Sequence, residues 1–353
     1  MSKLGIRDTA RQLHMEQTDE LLETKIGLVL AGGGAKGAYE AGALRYMSEI
    51  GFCPAMIAGT SIGALNGAVL ASHPSFSEAV QKLEMLWDRL GSEKVLQFNK
   101  GSLKRFAYAG ASSFLPNFVS WYFDFISRLG IKKDSLSIFS PDSLEQLLSE
   151  SINTTELRRG IELWVAVFPT LKIPGLDYDY LTGLLQVLAG SPAQWLKVQD
   201  CEDDATLHNL LLASAAIPFA FPPREINGTY YVDGALGDNV PLGALAARGC
   251  THAVVIHLSP AVNWSRHAFP SQAILEIRPR QFLNTHKSFI SGGIRSLLDF
   301  SPESISGLKE LGYRDAKYYL DEFLLTWNTV NQKRFQSEAL VRTTVRLQND
   351  LPL

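Results

Sequence analysis

Residues 25–31 read KIGLVLA, a short apolar run followed at once by three glycines, and apolar residues then recur at helical spacing over 38–50 until Gly51. This pattern predicts a buried strand, a glycine loop and a helix. The cadence repeats immediately, with AMIA at 55–58, the turn GTSIG at 59–63 and small residues over about 64–72. Two consecutive strand-to-helix units predict a parallel sheet covered by helices. Further on, 161–170 (IELWVAVFPT), 229–232 (TYYV) and 253–258 (AVVIHL) are β-rich runs bounded by turn residues. The region from Ser301 onward reads as helices with a polar tail, and the expected class is α/β.

Composition narrows the picture. The low-charge run 55–72 has the length of a membrane span, but glycines, serines and Asn66 interrupt it and no aromatic or basic anchors flank it. Strand, turn and helix inside a protein core is the reading that remains. Residues 1–24 are studded with charge and contain no apolar stretch of signal-peptide length, so a mobile or loosely docked segment in a cytoplasmic or peripheral-membrane protein is expected. A length of 353 residues suits one large α/β domain carrying insertions. The hydrophobic share of 46% provides for a sizeable core, and a formal charge of −3 gives no electrostatic reason to expect a nucleic-acid partner. Cys53, Cys201 and Cys250 are odd in number and far apart, which suits neither a disulfide framework nor a zinc site.

Two stretches have a different character. Over 98–133, Phe106, Tyr108, Phe114, Phe118, Trp121, Tyr122, Phe123 and Phe125 alternate with Lys104, Arg105, Arg128, Lys132 and Lys133. A helical cap packed on the core is the plainer expectation; a lipid-facing lid at a membrane interface is the other. Residues 171–200, with Pro174, Gly175, Gly190 and Pro192, are expected to be a looser insertion.

The chemistry starts at GTSIG. A serine between Gly59 and Gly63, after a strand and before a helix, fits a nucleophile elbow, whose tight turn holds Ser61 in a strained conformation. The loop Gly32, Gly33, Gly34, Ala35, Lys36, Gly37 also fits a dinucleotide-binding GxGxxG, but the second strand ends without the carboxylate needed to hold a ribose. A P-loop is excluded because Ala38, not Ser or Thr, follows Lys36 and Gly37. Glycines at a helix N-terminus instead expose backbone N–H groups, and Gly33 and Gly34 are natural oxyanion donors for an attacking serine. None of the seven histidines (His14, His73, His208, His252, His257, His267, His286) sits on a short loop with a distinctive turn, and an elbow on about the second strand is too early for an α/β-hydrolase. Asp233, at a strand end before Gly234 and Ala235, is the better candidate base: a carboxylate can serve if held close to the hydroxyl and partly desolvated.

In this order, GGGAKG at 32–37, GTSIG at 59–63 and DGA at 233–235 resemble the patatin-like phospholipases, as do ASAAIPFAFPP at 213–223, GDNVPL at 237–242 and GYRDA at 312–316. The resemblance implies a three-layer α/β/α sandwich with a mostly parallel central sheet over 25–316, insertions at about 98–135 and 171–200, and a C-terminal helical extension at 317–353. It also implies a Ser61–Asp233 dyad without histidine or cofactor, acting on lipid esters. The oxyanion loop would be Gly32, Gly33, Gly34, Lys36 and Gly37, with Lys36 orienting the loop, meeting a headgroup phosphate or simply solvated. Pro218, Pro222 and Pro223 would shape the pocket wall, and Asp238 and Asn239 would form a turn. A soluble esterase or thioesterase on the same dyad, and a non-catalytic nucleotide-binding protein, are the competing functions.

Overall fold

The computed structural model describes residues 24–92, 146, 149–170, 192–217, 223–260, 264–283, 297 and 299–349, with side chains as far as residue 326. The expected N-terminal segment up to residue 23, the aromatic segment 98–133, residues 171–191, Pro218 and Pro222 lie outside these.

Eight strands form one mixed sheet: β1 (Ile26–Leu30), β2 (Met56–Thr60), β3 (Glu162–Thr170), β4 (Gln194–Lys197), β5 (Arg224–Ile226), β6 (Thr229–Asp233), β7 (His252–Ile256) and β8 (Ala273–Ile277). Their order is β5-β6-β3-β2-β1-β7-β8, with β4 also paired to β3. The run from β3 to β8 is parallel throughout, whereas β4 and β6 join β3 antiparallel. The central strands are almost wholly buried, which accounts for their unbroken apolar sequences: a parallel strand has helices on both faces and no solvent side to mark with polar residues.

The helices are α1 (Gly37–Glu49), α2 (Ile62–Ala71), α3 (Phe76–Ser92), α4 (Thr154–Arg159), α5 (Asp204–Ser214), α6 (Leu242–Ala246) and α7 (Pro302–Asn349). With the sheet they make a three-layer α/β/α architecture, in which α1, α3 and α7 pack together while α5 lies on β3, β5 and β6. Among the described residues no helix is long and apolar enough to cross a membrane. The low-charge run at 55–72 is β2, its turn and α2, all in the core.

Two expected boundaries fall elsewhere. Residues 194–197, expected within a loose insertion, form β4, whose backbone pairs with Trp164–Val167 of β3. The division at 316/317 does not coincide with any break, because α7 runs on to Asn349 with no proline after Pro302. This helix is anchored on α1 by contact between backbones: a Cβ on Gly42 would stand 1.8 Å from the Lys309 carbonyl oxygen, and one on Gly312 would stand 1.9 Å from that of Tyr39. A buried hydrogen bond completes the seam, Tyr39 Oη donating to Asp315 Oδ2 at 3.0 Å, and a partly exposed ion pair from Lys309 Nζ to Asp88 Oδ1 at 2.7 Å ties α7 to α3. Gly312→Ala is therefore expected to force the two helices apart and lower stability by about 1–3 kcal/mol, the usual range for overpacking, read as a fall in the urea midpoint.

Candidate active site

The sheet brings the predicted nucleophile and base together through β3. Thr60, the last residue of β2, is paired with Ala166, and Asp233, the last residue of β6, is paired with Val167. Ser61 and Asp233 thus reach the same level on opposite sides of β3, about 10 Å apart in backbone at two strand spacings. Their side chains close that gap: Ser61 Oγ donates to Asp233 Oδ2 at 2.8 Å.

Ser61 has φ 55° and ψ −124°, a conformation that non-glycine residues rarely adopt and that costs on the order of 1–3 kcal/mol. The flanking glycines make the turn possible by close approach. A Cβ on Gly59 would lie 2.4 Å from the Gly63 carbonyl oxygen, and one on Gly63 would lie 2.4 Å from that of Leu30. The elbow is held from above by α5: Ser214 Oγ accepts the Ser61 N–H at 2.9 Å and donates to the Ala166 carbonyl at 2.7 Å. Just beyond α5, the Ala216 carbonyl accepts the Asp233 N–H at 3.0 Å. One short stretch therefore orients both members of the pair. The motif 213–223 marked this region in the sequence, but nothing there distinguished Ser214 from its small neighbours.

Asp233 is buried, and its Oδ1 accepts the Ala235 N–H at 2.9 Å. Desolvation pushes its carboxyl up to about 7, against the opposing effect of the Ala235 and Ser61 hydrogen bonds. The carboxylate is consequently a much better proton acceptor than a solvated aspartate, and near neutrality it is divided between its two forms. Gly234 serves the same geometry, since a Cβ there would stand 2.2 Å from the Ala166 carbonyl oxygen.

The glycine loop lies beside the pair: a Cβ on Gly32 would stand 3.2 Å from Ser61 Cβ. The five residues expected to form an oxyanion hole divide into two groups. Gly32 N–H donates to the Asn239 carbonyl, Lys36 N–H to that of Gly33, and Gly37 N–H to those of Gly34 and Ala35. Only the N–H groups of Gly33 and Gly34 have no acceptor among the described residues, and Gly34 takes a left-handed φ of 58°. Asn239 holds the loop twice, with its carbonyl and with Nδ2 donating to the Gly32 carbonyl at 3.3 Å. Asp238 forms the expected turn, Oδ1 accepting the Val240 N–H at 3.1 Å, while Oδ2 accepts Trp195 Nε1–H at 2.9 Å. Asn239 is thus more than a turn residue, a role visible only once β1 and the 237–242 segment are side by side. Pro223 is half-buried next to β5.

Lys36 is half-buried with no hydrogen-bond or ion-pair partner among the described residues, and desolvation lowers its ammonium to about 8. No described histidine contacts Ser61 or Asp233. His257, just after β7, is lowered to about 4 by burial and then by Arg278, and its Nε2 meets Glu276 Oε2 at 3.0 Å. No cluster of three or more His, Cys, Asp or Glu suited to a metal ion is present among the described residues. The assembled groups can activate a serine hydroxyl, accept its proton and receive developing negative charge on two backbone N–H groups.

The family model Patatin-like phospholipase matches residues 28–246. The chain is similar to "Lysophospholipase NTE1" of Chaetomium globosum, 42% identical over 67 residues, which is 19% of this chain and 4% of that protein. It is similar to "Neuropathy target esterase sws" of Drosophila melanogaster, 45% identical over 62 residues, 18% of this chain and 4% of that protein. These matches span only a small part of those relatives' length. Among solved structures, "VipD from Legionella pneumophila" is similar at a TM-score of 0.44 and 15% identity over 85% of this chain and 67% of that one.

Two outcomes follow from the carboxyl held near 7. Labelling of Ser61 by a fluorophosphonate is expected to accelerate as pH rises through about 7 and to fall at least 100-fold in Asp233→Asn, measured by intact-protein mass. The stability effect has the opposite sign. The folded protein keeps the Asp233 proton up to about 7 whereas the unfolded chain releases it near 3.8, so this stabilisation is full below 3.8 and is lost as pH rises through 7. Asp233→Asn is expected to raise the urea midpoint at pH 8 and leave it nearly unchanged at pH 4.

Proposed function

The chain belongs to the patatin-like phospholipase family, and we propose that it is a lipid acyl hydrolase working through an acyl-enzyme on Ser61. The observation that carries this reading is the 2.8 Å hydrogen bond from the strained Ser61 hydroxyl to the desolvated Asp233 carboxylate, beside two backbone N–H groups without acceptors among the described residues.

In this mechanism Ser61 Oγ attacks the ester carbonyl carbon as its proton passes to Asp233 Oδ2. The carbonyl oxygen becomes an oxyanion facing the N–H groups of Gly33 and Gly34 at the positive end of α1. Collapse of the tetrahedral intermediate breaks the bond to the alcohol oxygen, which takes the proton back from Asp233. Water then attacks the acyl carbon as Asp233 accepts its proton, and the bond to Ser61 Oγ breaks while Asp233 returns that proton to Oγ, which releases the carboxylic acid and restores both residues. Ionised Asp233 is needed at both attacks, so activity requires the form that is least comfortable in the folded state.

Phospholipids, lysophospholipids and glycerides are the proposed substrates. The relatives, named as a lysophospholipase and an esterase, support the lipid ester class, and the Lys36 ammonium beside the glycine loop, with no partner among the described residues, offers a cation to a phosphate headgroup. The alternation of aromatic and basic residues over 98–133 supports peripheral contact with a membrane surface.

Hydrolysis of a p-nitrophenyl ester series is expected to rise with acyl-chain length and to vanish in Ser61→Ala; a preference for the shortest esters would favour a soluble esterase, and no turnover together with no fluorophosphonate labelling would overturn the hydrolase reading. Replacing Trp121 and Phe125 by Ser is expected to lower the rate on phospholipid vesicles at least tenfold while changing that on a short-chain soluble ester less than twofold. Equal losses on both substrates would assign the segment to packing.

A further inference from the structure

Behind the glycine loop and the elbow lies a buried polar chain that the mechanism above does not use. Asn66, in the second turn of α2, has both amide N–H groups and its carbonyl oxygen engaged. Its Nδ2 donates to the Gly37 carbonyl at 3.2 Å and to Glu40 Oε2 at 2.8 Å, and its Oδ1 accepts Trp87 Nε1–H at 3.1 Å. Glu40, Asn66 and Trp87 are 0%, 2% and 1% exposed. Their elements explain the interest of the contact. Gly37 opens α1 directly after the glycine loop, with Glu40 one turn on; Asn66 stands five residues after Ser61; and Trp87 belongs to α3, its ring stacked on Phe300 at 6.1 Å.

We propose that Glu40, acting through Asn66 and Trp87, is a positioning residue that fixes the oxyanion loop relative to the nucleophile elbow. The proposal rests on the hydrolase reading and goes beyond it by assigning a role to a residue outside the reacting groups. The backbone route between Gly34 and Ser61 runs up α1, through a turn and along β2, so small motions of α1 against α2 would separate the oxyanion donors from Oγ. The Asn66 amide removes that freedom by holding the first residue of α1 and the Glu40 side chain at once. Packing supports the same register: a Cβ on Gly37 would stand 2.5 Å from Ile62 Cγ1 and 2.9 Å from Trp87 Cζ2, leaving no slack between the two helix starts.

A carboxyl is a costly residue for this place. Burial holds Glu40 well above the usual carboxylate range, against the opposing effect of Asn66 and the Ala31 backbone N–H, and among the described residues its Oε1 has no hydrogen bond of good geometry. The neutral form suits the position, because a carboxylate charge at the start of α1 would oppose the oxyanion that the same helix end is meant to receive. A leucine would fill similar volume at lower cost, but it would leave one Asn66 N–H without an acceptor and free the amide to turn. The gain offered by the polar residue is orientation rather than stability.

The test compares wild type, Glu40→Gln, Glu40→Leu and Trp87→Phe on a short-chain p-nitrophenyl ester, with fluorophosphonate labelling of Ser61 in parallel. Glu40→Leu is expected to lower kcat roughly 10- to 100-fold with KM within about twofold, the size of loss that a displacement near 1 Å produces. Glu40→Gln, which keeps an acceptor for Asn66, is expected to restore kcat to within about threefold. Should Glu40→Leu fail to fold, Trp87→Phe decides: it keeps an aromatic ring beside Phe300, removes the Nε1–H donor together with the ring edge that packs at Gly37, and is expected to lower kcat with KM unchanged. Wild-type kcat in Glu40→Leu or, if that variant is unfolded, in Trp87→Phe would overturn the proposal. So would a Gln variant as impaired as Leu, or a loss confined to KM. If the wild type turns over no ester, the hydrolase reading fails separately, and the labelling rates of the same variants still decide the positioning role: slow in Leu and near wild type in Gln supports it, equal rates in all overturn it.

Discussion

Two adjacent residues of β3 govern the rest of the site. Ala166 pairs with the last residue before Ser61, and Val167 pairs with Asp233, so one strand measures out the distance between nucleophile and base. The Ala166 carbonyl is also the acceptor for Ser214, which in turn accepts the Ser61 N–H. A slip of β3 by one residue would reverse its faces and carry Asp233 out of reach. Strands β2 and β6 run in opposite directions, and their ends meet because β2 pairs with Glu162–Ala166 and β6 with Val167–Thr170, successive halves of β3.

The site is costly in two ways. Ser61 holds a backbone conformation worth about 1–3 kcal/mol of strain. Keeping Asp233 ionised requires a desolvated charge, and the rise from 3.8 to about 7 corresponds to roughly 4 kcal/mol at 1.36 kcal/mol per pK unit. Together they approach the lower end of the net stability of an ordinary domain, about 5–15 kcal/mol. They are borne by a core in which β1, β2, β3 and β7 are buried nearly throughout and in which α1, α3 and α7 pack together. The reactivity of the serine and the reluctance of the aspartate to ionise are therefore two aspects of one burial.

The loops are fixed by polar contacts that arrive from distant parts of the chain. Asn239 ties the glycine loop to the segment after DGA, Ser214 ties the elbow to α5, and Asn66 ties α2 to α1 and α3. Ser214 and Asn66 are buried, where an apolar side chain would cost less to place, and Asn239 is partly buried. Together they distribute the orientation of Ser61, Gly33 and Gly34 over four separate elements, so that no single loop has to be rigid on its own.

The elements nearest the site were legible in the sequence because their constraints are local. Three glycines after an apolar run, a GxSxG between strand and helix, and an aspartate at a strand end each follow from backbone sterics within a few residues, and β1, α1, β2 and α2 fall within two residues of their expected limits. Other elements left weaker marks. Helix α3 carries a regular apolar spacing at Phe76, Ala79, Val80, Leu83, Trp87 and Leu90 that pattern reading could have used, whereas β4, of four residues, is too short to show a period and is a strand only because β3 offers it an edge. Which of the five loop residues retain free N–H groups was likewise beyond the sequence, since Asn239, the partner of Gly32, is more than two hundred positions away. The sequence by itself determined the identity and local backbone of Ser61, Asp233 and the glycine loop. Tertiary structure alone decided that they meet, how far burial raises the base, and that Ser214, Asn239, Asn66 and Glu40 surround them, because each of those outcomes depends on strand register and desolvation created by residues remote in the chain.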